Sequence, residues 1–214
     1  MLTSIKIMFH QVIEVLAEDG VKHIFRSRVF WNRRAIPVEM DILTANLPLA
    51  GQLGNTEFQF VEITMADLQA GRWTFSVSSR GLKAVRNLKR GFRGFAVAKD
   101  SIILGDLWCI TPRKDGKPIH HPDLRMLDIV CRTGDAYAFD MFIPSTYRGK
   151  NLAVPLQKTL QAVLKMEGCQ RVYGYYWEDN LPALWMHRML KFKELPKRRV
   201  SRFFFLSKSK KEVI

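Results

Sequence analysis

Within a few residues, the segment 137–163 switches from one backbone period to another. Tyr137-Ala138-Phe139-Asp140-Met141-Phe142-Ile143 has the aromatic and apolar content of a strand. Leu152, Leu156, Leu160 and Val163 then recur at helical spacing. Between them lies the small, basic stretch Pro144-Ser145-Thr146-Tyr147-Arg148-Gly149-Lys150-Asn151. A strand, a short loop and a helix in that order favour an α/β layer arrangement. They also make an anion cradle. The first amides of a helix have no partner inside it, and its dipole favours negative charge there. Gly149 lets a ligand approach the backbone, and Arg148 and Lys150 add charge-assisted contacts.

The rest of the chain supplies further layers. Leu2, Ile5, Met8, Phe9, Val12, Ile13 and Leu16 predict a helix over 2–19, stopped at Gly20. A basic amphipathic stretch, 21–34, follows and reads as a second helix, and Ile36 to Ile42 reads as an edge strand around Pro37. Gly, Pro and Asn between Leu47 and Asn55 mark a linker. The main body starts near Thr56. Its expected elements are a strand at 58–63, a short helix capped by Thr64, and a basic helix at 78–90. A hairpin of 94–98 with 102–110 follows, then a loop at 111–124 and a strand at 136–143. After these come a helix at 151–167, a strand at 171–177, a helix at 181–190 and a closing strand at 200–206. The expected domains are therefore an extension, 1–55, and a body, 56–214.

The 214 residues, 47% hydrophobic, can bury a core, so wholesale disorder is excluded. No apolar run approaches a membrane span, and no signal-peptide pattern opens the chain; a cytoplasmic protein is expected. Cys109, Cys131 and Cys169 fit neither a zinc site nor a disulfide framework. His120-His121 lack a spaced third ligand, so no metal is expected. The net charge of +14 is unevenly placed: residues 71–95 hold seven basic and no acidic side chains, and residues 188–214 hold ten against two. Such patches suit either a solvated surface or a polyanionic neighbour. No recognition motif supports nucleic acid, so that partner is not expected.

In the segment 137–153 the sequence resembles the GCN5-related N-acetyltransferase superfamily, GNAT. Its signature, Arg/Gln-x-x-Gly-x-Gly/Ala, follows a strand ending in Val-x-Pro-x-Tyr. Here Ile143 stands for the Val, Tyr147 precedes the loop, and Arg148 to Ala153 fill the signature. Asn151 takes the central glycine position, and Pro144 stands one residue early. A second family pattern, Asn-x-x-Ala-x-x-x-Tyr-x-x-x-Gly-Phe, meets Asn180, Ala183 and Phe192, with His187 for the Tyr and Lys191 for the Gly. The resemblance covers residues 57–206 in element order and 137–192 in motif detail.

It implies a GNAT fold, a central mixed twisted sheet flanked by helices, here with an N-terminal helical extension. It implies acetyl-CoA as the acyl donor. Phe142, Ile143, Arg148, Gly149, Lys150, Asn151, Leu152, Ala153 and Asn180 would hold that donor. Asp140 would accept the amine proton through water, or act only as a structural carboxylate. His187 would protonate the departing thiolate, or merely lie on a polar helix face. The implied function is direct transfer of an acetyl group to an amine of a small metabolite or sugar. Two alternatives stand beside it: a catalytically degenerate domain that binds CoA, nucleic acid or a partner, and the same fold using a longer acyl thioester. The basic segment 21–34 fits an interfacial helix on an anionic membrane or a helix packed on the body, and helix 2–19 fits a core element or a homodimer contact.

Overall fold

The computed structural model describes residues 30–45, 47, 57–111, 120–203 and 206–211. The expected helix over 2–19 and linker over 47–55 lie outside these, save Leu47. The chain divides into two compact units, one of residues 1–38, 120–130 and 175–214, the other of residues 39–119 and 131–174. The division falls inside β1 (Phe30–Asp41) and β7 (Arg171–Trp177).

The second unit carries the anion cradle. Its elements are β2 (Gln59–Ile63), α1 (Met65–Gln69), β3 (Thr74–Phe75), α2 (Ser78–Lys89), β4 (Arg93–Lys99), β5 (Ile102–Ile110), β6 (Asp135–Phe142) and α4 (Ala153–Met166), besides its part of β7. β2, β4, β5 and β6 pair antiparallel in turn, while β7 joins β6 in parallel, so the sheet is mixed. The β4–β5 hairpin turns through Asp100 and Ser101, both at positive φ. Thr64 caps α1 by accepting from the Asp67 amide at 3.1 Å.

Each face of this sheet buries a different chemistry. On one, Leu156, Leu160 and Leu164 of α4 pack on Phe95, Leu107, Cys109, Ala136, Ala138 and Val172. On the other, Trp108 and Asp106 stand opposite Gly94 and Ala96 of β4. The small residues make room for the indole: a Cβ on Gly94 would sit 2.7 Å from Trp108 Cη2. Cys109 and Cys169 are buried free thiols, and Cys131 is a half-buried one.

The first unit holds most of β1, α3 (Pro122–Leu127), α5 (Leu181–Met189), β8 (Lys193–Glu194), β9 (Arg198–Phe203) and β10 (Leu206–Lys211). Three expectations are corrected here. Residues 30–34 are strand and not helix, because β1 pairs antiparallel with β9 from Phe30↔Phe203 to Ala35↔Arg198. The 111–124 stretch does not stay a loop to its end. Pro122 opens α3, and His121 caps it by accepting from the Asp123 amide at 3.3 Å. The closing strand is a hairpin: β9 ends at Phe203, and β10 returns along it from Leu206.

Part of each basic patch is paired with carboxylates of its own unit. Of the seven cations in 71–95, Arg72 pairs with Asp67, Arg93 with Glu62 and Glu167, and Arg80 and Lys83 with aspartates. In the C-terminal patch, Arg188 pairs with Glu194, Lys197 with Glu178 and Arg198 with Asp128. Among the described residues, no helix is long and apolar enough to cross a membrane.

Candidate active site

β6 changes hands part-way along. Ala136 and Ala138 face the α4 core, and so do Met141 and Ile143. Regular alternation would have put Asp140 there too. Instead the β5–β6 register slips between Asp106↔Phe142 and Trp108↔Phe139, leaving one extra residue in β6. Asp140 takes up that residue with φ +56, a left-handed conformation. The bulge sends its carboxylate to the opposite face, where Arg80 of α2 waits.

Arg80 and Asp106 are almost wholly buried, at 7% and 0% side-chain exposure. Arg80 Nε donates to Asp106 Oδ1 at 3.0 Å, and Nη2 also bonds Asp106 Oδ2. Nη1 donates to Asp140 Oδ1 at 3.0 Å, and Nη2 donates to the Asp140 carbonyl oxygen at 3.1 Å. Lys83 Nζ lies 2.6 Å from Asp140 Oδ2, and Trp108 Nε1 donates to Asp106 Oδ2 at 2.6 Å. Burial alone would raise the Asp140 pKa, but Arg80 and Lys83 outweigh it and hold this carboxyl below the ordinary range. A carboxylate so stabilised is a weak base. Burial lowers the Arg80 pKa, yet Asp106 and Asp140 more than restore it, so the guanidinium stays charged.

β6 and β7 register Asp135↔Arg171, Ala136↔Val172 and Tyr137↔Tyr173, all before the bulge. The strand ends at Phe142, and a single 3-10 turn, Ser145–Tyr147, leads to the loop. Gly149 has φ +85 and Asn151 φ +55. Asn151 thus adopts a left-handed backbone, the conformation open most readily to glycine. Arg148, Gly149, Lys150 and Asn151 are exposed, while Leu152 is buried with Phe58, Val97 and Leu104. Arg148 Nε donates to the Ile143 carbonyl at 3.2 Å, bracing the loop, and Lys150 Nζ lies over the Tyr147 ring. No side chain caps α4 at Leu152; Pro155 in its first turn carries no N–H, so Ala153 and Val154 hold the amides that this N-terminus can offer an anion.

In the first unit, Asn180 caps α5, its side-chain oxygen accepting from the Ala183 amide at 3.3 Å. The helix ends in a left-handed turn at Lys191, φ +61. The Lys191 amide donates to the Arg188 carbonyl and the Phe192 amide to the His187 carbonyl, a Schellman motif. Lys191 holds the left-handed position that glycine most often fills in this motif. His187 is buried, stacked on Tyr176 with Phe192 against its edge. Its Nδ1 lies 2.7 Å from the Ala183 carbonyl oxygen. A carbonyl only accepts, so Nδ1 carries the hydrogen and Nε2 of the neutral ring is left without one. Burial pushes the His187 pKa down, against a smaller upward pull from that hydrogen bond.

Solved structures with the same architecture include a glucosamine N-acetyltransferase region within a fungal multi-domain GH3 β-N-acetylglucosaminidase, a GNAT-family acetyltransferase from Colwellia psychrerythraea and a GCN5-related N-acetyltransferase from Sphaerobacter thermophilus. Their TM-scores are 0.58, 0.52 and 0.51, at 11%, 15% and 12% identity. They align over 85%, 87% and 91% of this chain. The chain has the GNAT fold. It spans 22%, 62% and 57% of those three proteins. No family model and no curated protein sequence matches it.

Within this GNAT fold, the second unit brings together Asp140, Phe142, Ile143 and the whole loop from Arg148 to Ala153. Asn180 and His187 belong to the first unit. Arg80, Lys83 and Asp106 were missed by sequence reasoning. One signal was available: Asp106 is the single charge in the otherwise apolar strand Ile102–Ile110, and a buried carboxylate requires a cation. His121, one of the adjacent histidines, lies beside Asp123, its Nδ1 accepting from the Asp123 amide at 3.3 Å. Among the described residues, no group of three or more metal-ligating side chains is assembled.

Proposed function

We propose that the chain is a CoA-dependent N-acyltransferase that moves an acetyl group from acetyl-CoA to the amine of a small molecule. The observation that carries this reading is the cradle: a left-handed Gly149–Asn151 loop, flanked by Arg148 and Lys150, opening onto the uncapped N-terminus of α4. The loop amides and the two cations suit a pyrophosphate. The end of β6, at Phe142 and Ile143, leads into this loop and suits an extended pantetheine arm. Acetyl-CoA supplies an activated thioester that an amine can attack directly.

The amine loses one proton and the CoA thiolate gains one, so water can carry both transfers. Asp140 enters as an anchored carboxylate, given its two cationic partners and its depressed pKa. His187 enters as a packed, neutral ring whose Nδ1–H is already engaged. Holding amine and thioester in line supplies much of the rate. The glucosamine activity named for the fungal neighbour makes amino sugars the first acceptors to assay.

The test is calorimetric titration of the full chain with acetyl-CoA, followed by CoA release with an amine panel. Micromolar binding that disappears in Gly149→Asp, with amine-dependent CoA release, supports the reading. No binding of acetyl-CoA or of longer acyl-CoAs overturns it. Binding without turnover leaves a degenerate, CoA-binding domain.

A further inference from the structure

We infer that the acceptor amine carries a negative group of its own, a carboxylate or a phosphate, and that Arg86 of α2 holds it; this rests on the acyltransferase reading above. Four of the seven cations in residues 71–95 have carboxylate partners: Arg72, Arg80, Lys83 and Arg93. Arg86, Lys89 and Arg90 remain, at the C-terminal end of α2, and among the described residues no carboxylate pairs with them. A helix C-terminus favours cations, which accounts for the exposed Lys89 and Arg90. It does not account for Arg86. That side chain is half-buried, and its Nε is shut off from solvent and bonded to nothing. A polar atom buried in this way is costly until a partner arrives.

The place of Arg86 gives that partner a role. Lys83, Arg86 and the C-cap residue Arg90 lie three and four residues apart, on one flank of α2. Lys83 Nζ lies 2.6 Å from the Asp140 carboxylate, so this flank borders the bulge of β6. Arg86 is within reach of the same charges: burial and then Arg90 lower its pKa, Asp140 raises it and Arg80 lowers it. Asp106 is committed to Arg80 and Trp108, and Asp140 is already shared by Arg80 and Lys83, so neither is left for Arg86. α2 runs back along β6 from the cradle end. The Arg80 guanidinium lies 4.9 Å from the centre of the Phe142 ring, and Phe92, just past the helix, meets Phe139 at 5.4 Å. The unmatched positive charge therefore stands on the face of β6 that leads to Phe142, and a surface of one sign gathers ligands of the other. A guanidinium takes two oxygens of a carboxylate or phosphate in a planar fork. An amine bearing such a group would be tethered at α2 with its nitrogen free to reach the strand end, whereas a neutral amine would leave Arg86 unpaired.

The experiment is calorimetric titration of the full chain, saturated with CoA so that the cradle is filled, with two matched pairs of amines. These are glucosamine 6-phosphate against glucosamine, and 4-aminobutyrate against butylamine. At least one charged member should bind about tenfold or more tightly than its neutral partner, and the pair that shows this distinguishes phosphate from carboxylate. Arg86→Gln should abolish the preference and Arg86→Lys should keep part of it. CoA and the neutral amines should bind both variants within about threefold of wild type, because the cradle is untouched. Lys89→Gln, which removes an exposed cation three residues on, should keep the preference and so separates a fork at Arg86 from the general charge of the patch. With acetyl-CoA as donor, Arg86→Gln should raise the KM of the charged amine about 10- to 100-fold. Charged amines that bind no better than their neutral partners, or a preference that survives Arg86→Gln, overturn the inference and leave the acyltransferase reading intact. Failure of the wild type to bind CoA or any acyl-CoA would instead overturn that reading, and the inference with it.

Discussion

Arg80 bonds residue 140 at both ends, reaching the Asp140 carboxylate at 3.0 Å and its carbonyl oxygen at 3.1 Å. That contact explains how an aspartate sits at φ +56 in a sheet strand. A left-handed non-glycine residue costs roughly 1–2 kcal/mol. The buried fork and the Lys83 ammonium outweigh this by meeting the charge that the bulge delivers.

Asp140→Asn should therefore destabilise the protein by about 2 kcal/mol near neutral pH. This is less than the ~3–5 kcal/mol of a fully buried pair because the side chain reaches solvent in part. The folded pKa of Asp140 is depressed, so its contribution is present above the unfolded value near 4 and is lost as pH falls through the lower folded value. Urea denaturation should show the gap between wild type and variant closing in acid. An equal gap at neutral pH and at about pH 2 would contradict the ion-pair account.

Lys191 offers a gain. It occupies the left-handed position after α5 at φ +61, exposed and at the end of a complete Schellman motif. Lys191→Gly should stabilise the fold by about 1 kcal/mol, seen as a raised Tm. An unchanged or lowered Tm would mean that the lysine side chain has a role the backbone does not reveal.

His187 gives a second pH signature. Burial lowers its pKa in the folded state, so the neutral ring favours folding above the unfolded value near 6.5. As pH falls below that value the unfolded chain takes up the proton first, and stability declines by at most about 1.4 kcal/mol per pH unit. His187→Phe keeps a ring beside Tyr176 and Phe192 but cannot take the proton. Chemical denaturation between about pH 7 and pH 5 should show a flatter dependence in the variant, and parallel curves would rule out this histidine as the source.

Gly94 tests the other face of the sheet. A Cβ there would lie 2.7 Å from the Trp108 ring, which is 0% exposed and whose Nε1 is committed to Asp106. Gly94→Ala should cost about 1–3 kcal/mol through overpacking. A cost below about 0.5 kcal/mol would show that the indole can move, and with it the Asp106 anchor.

Most of the regular elements were legible because their signals are local. The apolar residues of α4 repeat at helical spacing and are the ones buried, at Leu156, Leu160 and Leu164. The β4–β5 hairpin and the Gly149 loop were likewise readable from turn residues and spacing. β1 was less so: Arg33 and Arg34 follow a basic amphipathic stretch that suits a helix, but pairing with β9, some 165 residues onward, makes them strand. The β10 return was hidden for a similar reason, since Ser207 to Lys211 has little apolar content and is held by backbone pairing with β9.

The sequence by itself determined the strand–loop–helix cradle, its basic flanks and the glycine and asparagine able to turn left-handed, because each depends on a few adjacent residues. Only the tertiary structure decided what Asp140 does. Its face depends on a register slip against β5, and its partner Arg80 lies 60 residues away, with Asp106 a further 26 residues beyond Arg80. The charge excess of residues 71–95 was read correctly as a count, but where those charges act was set by carboxylates from distant strands and helices. Periodicity reports how a segment buries its own side chains. The partner of a buried charge is supplied by the fold.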